Sequence, residues 1–279
     1  MKKEQKIEKN AKKNRMKFLT EKALFAAEEC GYTLTKKEEL EFIRHGGEEV
    51  LKKYLQNRTL CKKSQVVLVQ FRREMSNYAY TIDATCFTTP EEQISLFCSD
   101  NTELIKRFIE QCKSICEKAE IEFINIADYN LFIHYLEHQT LSAAGELALV
   151  KKNDFSKIRL FIKQSCFNND QAEVEFIHTK DDEALEYYLK NYTLSDASEF
   201  ALVGISRLKR IYPYINRYQL NPQAEVRLVQ GSITNYDKKV VDYYCNRYQL
   251  CDEAKSELAK RKDCTLINKD ETEGPEYLL

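Results

Sequence analysis

Tryptophan is absent from this chain, and the usual turn formers are scarce, with 7 glycines and 4 prolines in 279 residues. So few turn formers argue against an all-β protein built on tight hairpins and favour helices joined by short connections. No apolar run approaches the roughly 20 residues needed to cross a bilayer. The first residues carry no apolar stretch of the secretory kind. Neither sign of charge dominates. The 43 Lys and Arg stand against 44 Asp and Glu, so the overall basic footprint of a nucleic-acid-binding domain is missing. A glycine-rich phosphate loop is missing too, and nucleotide binding has no support. The ten cysteines form no C-x-x-C pair, and the chain is long for a disulfide scaffold; they read as reduced thiols of a cytoplasmic protein.

What the chain does have is repetition. "NRYQL" occurs at 216–220 and again at 246–250, each time running into a helix start. A wider period lies behind it. Take as an anchor the second residue of a recurring apolar pair: Ile43, Val69, Phe97, Ile124, Val150, Ile177, Val203, Val229 and Ala259. The spacings are 26, 28, 27, 26, 27, 26, 26 and 30 residues, a sustained period of the kind that solenoids and arrays show. Eleven positions after the anchor stands an aromatic: Tyr54, Tyr80, Phe108, Tyr135, Phe161, Tyr188 and Tyr214, with Tyr244 displaced by four residues in the eighth repeat. Three before it the residue is apolar, Asn77 excepted, and one after it usually so. This is the stripe of a helix. An apolar residue also stands three before the anchor in eight of the nine repeats, and a small one five before it in seven.

Each repeat therefore reads as two helices. Thr35, Thr89, Ser142, Ser195 and Asn221 stand where an N-cap oxygen is wanted. Pro90 and Pro222 follow two of these caps, and Glu38 and Glu92 complete capping boxes. Pro213, within the second helix of the seventh repeat, should kink it or make it start late. No hairpin of about 26 residues buries its apolar stripe alone, so the repeats must stack. The expected fold is all-α, an α-solenoid of about eight to nine stacked helical hairpins. The expected organisation is a basic arm over residues 1–17, a capping helix over 18–33, the solenoid over 34–262 and an acidic tail over 263–279.

The architecture resembles the tetratricopeptide and HEAT-like solenoids, though the period is shorter than in either and their signature residues are absent. It is also similar to short-period helical-repeat proteins of bacteria. The resemblance implies a fold and carries over no site residues.

Functional hints are sparser. "HYLEH" at 134–138 matches H-x-x-E-H, a zinc-peptidase pattern in which His134 and His138, four apart on one helix, can chelate a metal with Glu137 beside them. Tyr135 and Leu136 are ordinary repeat positions, however, so the stretch is also explained as a plain second helix, and no downstream third ligand is apparent. A glutamate stands four before the anchor in six repeats: Glu39, Glu120, Glu146, Glu173, Glu199 and Glu225. It reads as helix-dipole compensation or as a bridge to a base on the next repeat. Cys61, Cys116 and Cys251 share one register, which argues for packing.

A more variable row lies fourteen positions after the anchor: Asn57, Gln111, His138, Gln164, Asn191, Arg217 and, past the insertion "QGSITNYDKK", Arg247. Lys163 and Lys190 precede two of its members. Such a row suits a protein or peptide partner; it equally suits C-terminal residues complementing helix dipoles. The basic arm, with Lys2, Lys3, Lys12, Lys13 and Arg15, offers an alternative contact to nucleic acid. The expected function is a non-enzymatic binding scaffold without a cofactor. A nucleic-acid-associated protein is the alternative, and a metal-dependent hydrolase at His134/Glu137/His138 is the third reading.

Overall fold

The computed structural model describes residues 34–57, 59–71, 82–205, 208–231 and 235–260. The basic arm with Lys2, Lys3, Lys12, Lys13 and Arg15, the capping helix, the acidic tail, Asn77 and Tyr80 lie outside the described residues. Every regular element that is described is helical, and the fold is an all-α solenoid of helices that contact their neighbours. The hairpins are α1 (Lys36–His45) with α2 (Glu48–Asn57), α4 (Pro90–Phe97) with α5 (Thr102–Gln111), and α6 (Glu117–Ile126) with α7 (Tyr129–His138). They continue with α8 (Ala143–Lys152) and α9 (Phe155–Gln164), α10 (Asp170–Ile177) and α11 (Asp182–Asn191), α12 (Asp196–Gly204) and α13 (Tyr212–Ile215), and α14 (Pro222–Gly231) and α15 (Asn235–Arg247). The first helix α3 (Lys62–Phe71) is followed, among the described residues, by a 3-10 turn at Ala84–Cys86, and α16 (Asp252–Ala259) opens a ninth repeat. No described helix is long and apolar enough to cross a membrane.

Helix boundaries follow local chemistry. Thr35 and Thr89 form complete capping boxes with Glu38 and Glu92. Ser195 and Asn221 accept from the N–H groups of Ser198 and Ala224, and Ser142 from that of Gly145. The second helices carry caps of their own, with Asn101, Asp128, Asp154 and Asp181 each accepting from the N–H three residues on. Pro213 has the expected effect. The seventh repeat replaces a full second helix by a 3-10 turn at Leu208–Ile211 and the four-residue α13. The insertion of the eighth repeat is followed by the 13-residue α15, and Tyr244 stays fully buried despite its displacement.

The chain divides into two compact units, Met1–Gly145 and Glu146–Leu279. In the first, α1 packs on α3, α3 on α4 and α4 on α6, while the second helix α5 packs on α7. In the second, α10 packs on α12, α12 on α14 and α14 on α16, with α9 on α11 and α11 on α13. First helices thus form one layer and second helices another. The second-helix stripe is the expected one: Ile105, Phe108 and Ile109 in α5, and Leu185, Tyr188 and Leu189 in α11, are all buried.

The first helices bury a different face from the one the apolar pattern suggests. The apolar residue three before the anchor is half-buried in Leu40, Ile94, Ile121, Leu147, Val174 and Val226, exposed in Phe200 and buried in Val66. The buried positions are the small residue, the glutamate beside it and the anchor pair, as in Ala172, Glu173, Phe176 and Ile177. Each buried glutamate reaches two elements. Glu173 accepts from the Tyr188 hydroxyl (2.8 Å) in its own hairpin and from the Ser195 N–H (2.8 Å) at the start of the next first helix. Glu39 does the same with Tyr54 and Cys61, and Glu120 with Tyr135 and Ser142. Glu199 pairs with Tyr214 and Asn221, and Glu225 with Tyr244 and Cys251. Glu146 belongs to a repeat with Phe161 in place of tyrosine, and the Asn168 side-chain amide (3.1 Å) donates instead, together with the Asn168 and Asn169 N–H groups. Of the three repeats without this glutamate, two have Gln65 and Gln93 in its place, also buried, and the ninth has the exposed Lys255.

The glutamate row therefore bridges to the next repeat, as one of its sequence readings had it, but through backbone N–H groups and not through a base. Cys61, Cys116 and Cys251 are half-buried residues at first-helix starts, not core packing. Their N–H groups donate to Glu39, Gln93 and Glu225.

Burial, and after it the neighbouring carboxylate, pushes the Tyr135 and Tyr188 phenols above their ordinary range. Both remain hydrogen-bond donors at any physiological pH. Removing one such donor leaves a buried carboxylate short of a partner. Tyr188→Phe keeps the ring contacts with Phe167, Phe176 and Tyr192 and is expected to destabilise the protein by about 1–3 kcal/mol. Urea unfolding of the two proteins checks this, and an unchanged midpoint would show that the bond contributes nothing net.

Glu199 yields a pH signature. Burial pushes its carboxyl above the ordinary value, against the lowering effect of the bonds from Tyr214 and Asn221. A carboxyl raised in the folded state contributes stability that is complete below its unfolded value of about 4.3 and is lost as pH rises through the folded value. Relative to Glu199→Gln, the wild-type protein should therefore lose stability across that window. Urea midpoints of both proteins at a series of pH values from 4 upward measure the slope, and a difference constant with pH would contradict it.

Candidate functional site

The last turn of each second helix is where residues vary between repeats while the backbone position is constant. Gln111, His138, Lys163, Gln164, Lys190, Asn191, Arg217 and Arg247 are all exposed there, and Asn57 ends α2 with its side chain outside the described residues. They fall into two groups by what their side chains do. Arg217 donates to the Lys190 carbonyl (2.5 Å), and Arg247 donates to the carbonyl of Asn216. Each thus satisfies a carbonyl at the C-terminal end of the preceding second helix. Gln219 Nε2 donates to the Gln249 carbonyl (3.1 Å), and Tyr218 and Tyr248 lie against Tyr214 and Tyr244 with ring centroids 5.0 Å apart. The duplicated NRYQL stretch is a joint between second helices.

The other members are less engaged. Lys190 pairs with Glu186 (2.5 Å) one turn back, and Asn191 donates to its own helix at Tyr187 (2.7 Å). Among the described residues, Gln111, Lys163 and Gln164 have no side-chain hydrogen bond or ion pair. The row is thus brought to one edge of the second-helix layer within each unit, and its two arginines are tied into the stack.

His138 belongs to this row and also to a cluster. It stands one turn after His134 on α7, with ring centroids 4.5 Å apart. The His138 Nδ1 lies 3.0 Å from the His134 carbonyl. A carbonyl only accepts, so Nδ1 carries the proton and Nε2 keeps its lone pair. Glu110, at the end of the neighbouring α5, places Oε1 3.3 Å from His134 Nε2. That nitrogen is buried and makes no hydrogen bond, the carboxylate lying off the direction one requires. On the other side of the ring, Glu137 Oε2 is 3.9 Å from His134 Nδ1. One ligand atom from each of Glu110, His134 and His138 lies within 4.8 Å of the other two. The H-x-x-E-H motif thus acquires a third candidate ligand upstream, not downstream. It sits 24 residues before His134, close to one repeat, so that the packing of α5 on α7 brings it alongside.

A second concave feature lies on the first-helix layer of the first unit. It is an open cleft of about 500 Å³ lined by Arg44, Lys62, Lys63, Thr85 and Glu92 among others. Two of its basic side chains already have partners, Lys62 lying 3.6 Å from Asp83 and Arg44 over the Phe71 ring.

The fold defines the class as an all-α helical-repeat solenoid. No family model, curated protein or solved structure matches the chain.

Proposed function

We propose that the chain is a non-enzymatic binding scaffold that recognises a protein or peptide segment along the ends of its second helices. One observation carries this reading. The positions that stay alike from repeat to repeat are buried in the glutamate–tyrosine network, while the exposed end positions differ: Gln111, His138, Gln164, Asn191, Arg217 and Arg247 occupy one register. Stacking employs Arg217 and Arg247 of this row but makes no use of the side chains of Gln111 and Gln164. A repeat array that discriminates partners needs a surface whose chemistry changes along the stack, and solenoids supply such surfaces. Gln111, Lys163 and Gln164, which have no side-chain partner among the described residues, suit the backbone carbonyls, amides and carboxylates of a polypeptide.

The test is affinity capture from the native extract with and without nuclease, using the full chain and the triple variant Lys163→Glu/Gln164→Ala/Asn191→Ala. The expected result is a protein captured near stoichiometry in both halves, with recovery reduced at least about tenfold by the variant at unchanged helicity, since a few residues dominate such interfaces. Material lost on nuclease treatment would instead favour the nucleic-acid reading, with its basic arm and the row from Lys163 to Arg247. Recovery unchanged by the variant would remove the row as the site.

A further inference from the structure

We infer that Glu110, His134 and His138 form a binding site for a single divalent cation of the zinc class, one that clips the end of α5 to α7. The proposal is independent of the scaffold reading and rests on four features of the cluster. First, the donor set is right. Two imidazoles and a carboxylate are the combination that zinc and its neighbours take in three-ligand protein sites, leaving a position for water or another ligand. Second, the atoms are already gathered, within 4.8 Å of one another across two helices. A bound ion with ligand distances of about 2.0–2.2 Å requires them to close further, and the exposed His138 and the half-exposed Glu110 have room to move.

Third, the imidazoles are prepared. The carbonyl of His134 holds the proton on His138 Nδ1, so Nε2 is the ligating nitrogen. His134 faces Glu110 through Nε2 and Glu137 through Nδ1. With Nε2 on the ion, Nδ1–H has the Glu137 carboxylate 3.9 Å away, and a turn of that exposed side chain would complete the outer-shell bond that orients metal-bound histidines and raises their basicity. Glu137 is accordingly a positioning residue. Fourth, His134 Nε2 is a buried polar atom with no hydrogen bond. A buried nitrogen left in that state is costly, and an ion between it and Glu110 satisfies both groups.

The experiment uses the full chain, stripped with chelator under reducing conditions and titrated with Co²⁺ and then Zn²⁺. Four substitutions accompany it. His138→Ala and Glu110→Gln remove ligands from surface positions, so the helical circular dichroism should not change. His45→Ala and His178→Ala serve as controls. The expected result is one equivalent of Co²⁺, displaced by Zn²⁺, with the visible spectrum of nitrogen and oxygen ligands and no thiolate-to-cobalt charge-transfer band. Affinity should fall at least about tenfold in each ligand variant and stay unchanged in the controls. Zn²⁺ should raise the unfolding temperature of the wild type and not of His138→Ala, because binding to the folded state alone stabilises it.

Three results would overturn the site: no binding at micromolar metal, binding that carries the thiolate band, or equal affinity in His138→Ala. Any of them would leave a histidine–carboxylate pair only. Binding without a change in unfolding temperature would overturn the clip.

Discussion

A buried carboxylate that is paired with no base and held by a phenol and a backbone N–H is the interaction on which the stack depends. Taking a carboxylate out of water is expensive unless every lone pair finds a donor. In this protein the donors come from two places that must be correctly positioned at once. The tyrosine hydroxyl comes from the same hairpin, as in Tyr188 to Glu173, and its bond fixes the second helix against the first. The N–H comes from the residue that opens the next first helix, as in Ser195, and its bond fixes one repeat against the next. The carboxylate also lies in the first turn of its own helix and at the N-terminal end of the following one, where helix dipoles favour negative charge. A shift of either partner leaves a buried charge short of donors, so the penalty itself enforces the register of the stack.

The exceptions support this account. Gln93, in a repeat whose aromatic is Phe108, keeps the bond to the next repeat by accepting from the Cys116 N–H (2.8 Å) and turns its own Nε2 to the Phe87 carbonyl. Here a neutral amide stands in place of the carboxylate, in a repeat without a phenol. In the repeat of Phe161 the acceptor is Glu146, and there Asn168 supplies two donors and Asn169 a third. In both repeats the N–H bond from the start of the next first helix is kept, while the second partner differs.

The pairing of most of these glutamates with a tyrosine is itself written in the chain. Period, hairpins, second-helix stripe and most first-helix caps were legible because each is a local pattern of spacing. The glutamate row was seen, but a carboxylate in a first turn satisfies a local explanation, dipole compensation, and its partners stand 15 and 22 residues away. Pairing Glu39 with Tyr54, Glu120 with Tyr135, Glu173 with Tyr188, Glu199 with Tyr214 and Gln93 with Phe108 was the available signal. Glu110 was invisible for a related reason. A motif search looks along one helix, whereas a solenoid sets residues about one period apart side by side, and nothing local marks a surface glutamate as the neighbour of His134.

The same logic separates structure from function along the second-helix ends. The arginines of NRYQL are exposed, variable between repeats and basic, which by sequence made them binding residues. Their guanidinium groups satisfy carbonyls of the preceding second helix, so in these repeats the end position contributes to stacking. Where the position holds Gln111 or Gln164, no such bond is made and the side chain is available to a partner. Where it holds His138, the side chain joins Glu110 and His134. One register of the repeat therefore serves three ends: a clamp, an open polar surface and a candidate ion site. Which of them a given repeat adopts depends on a single residue, because the buried glutamates and glutamines hold the backbone in place whatever the exposed position contains.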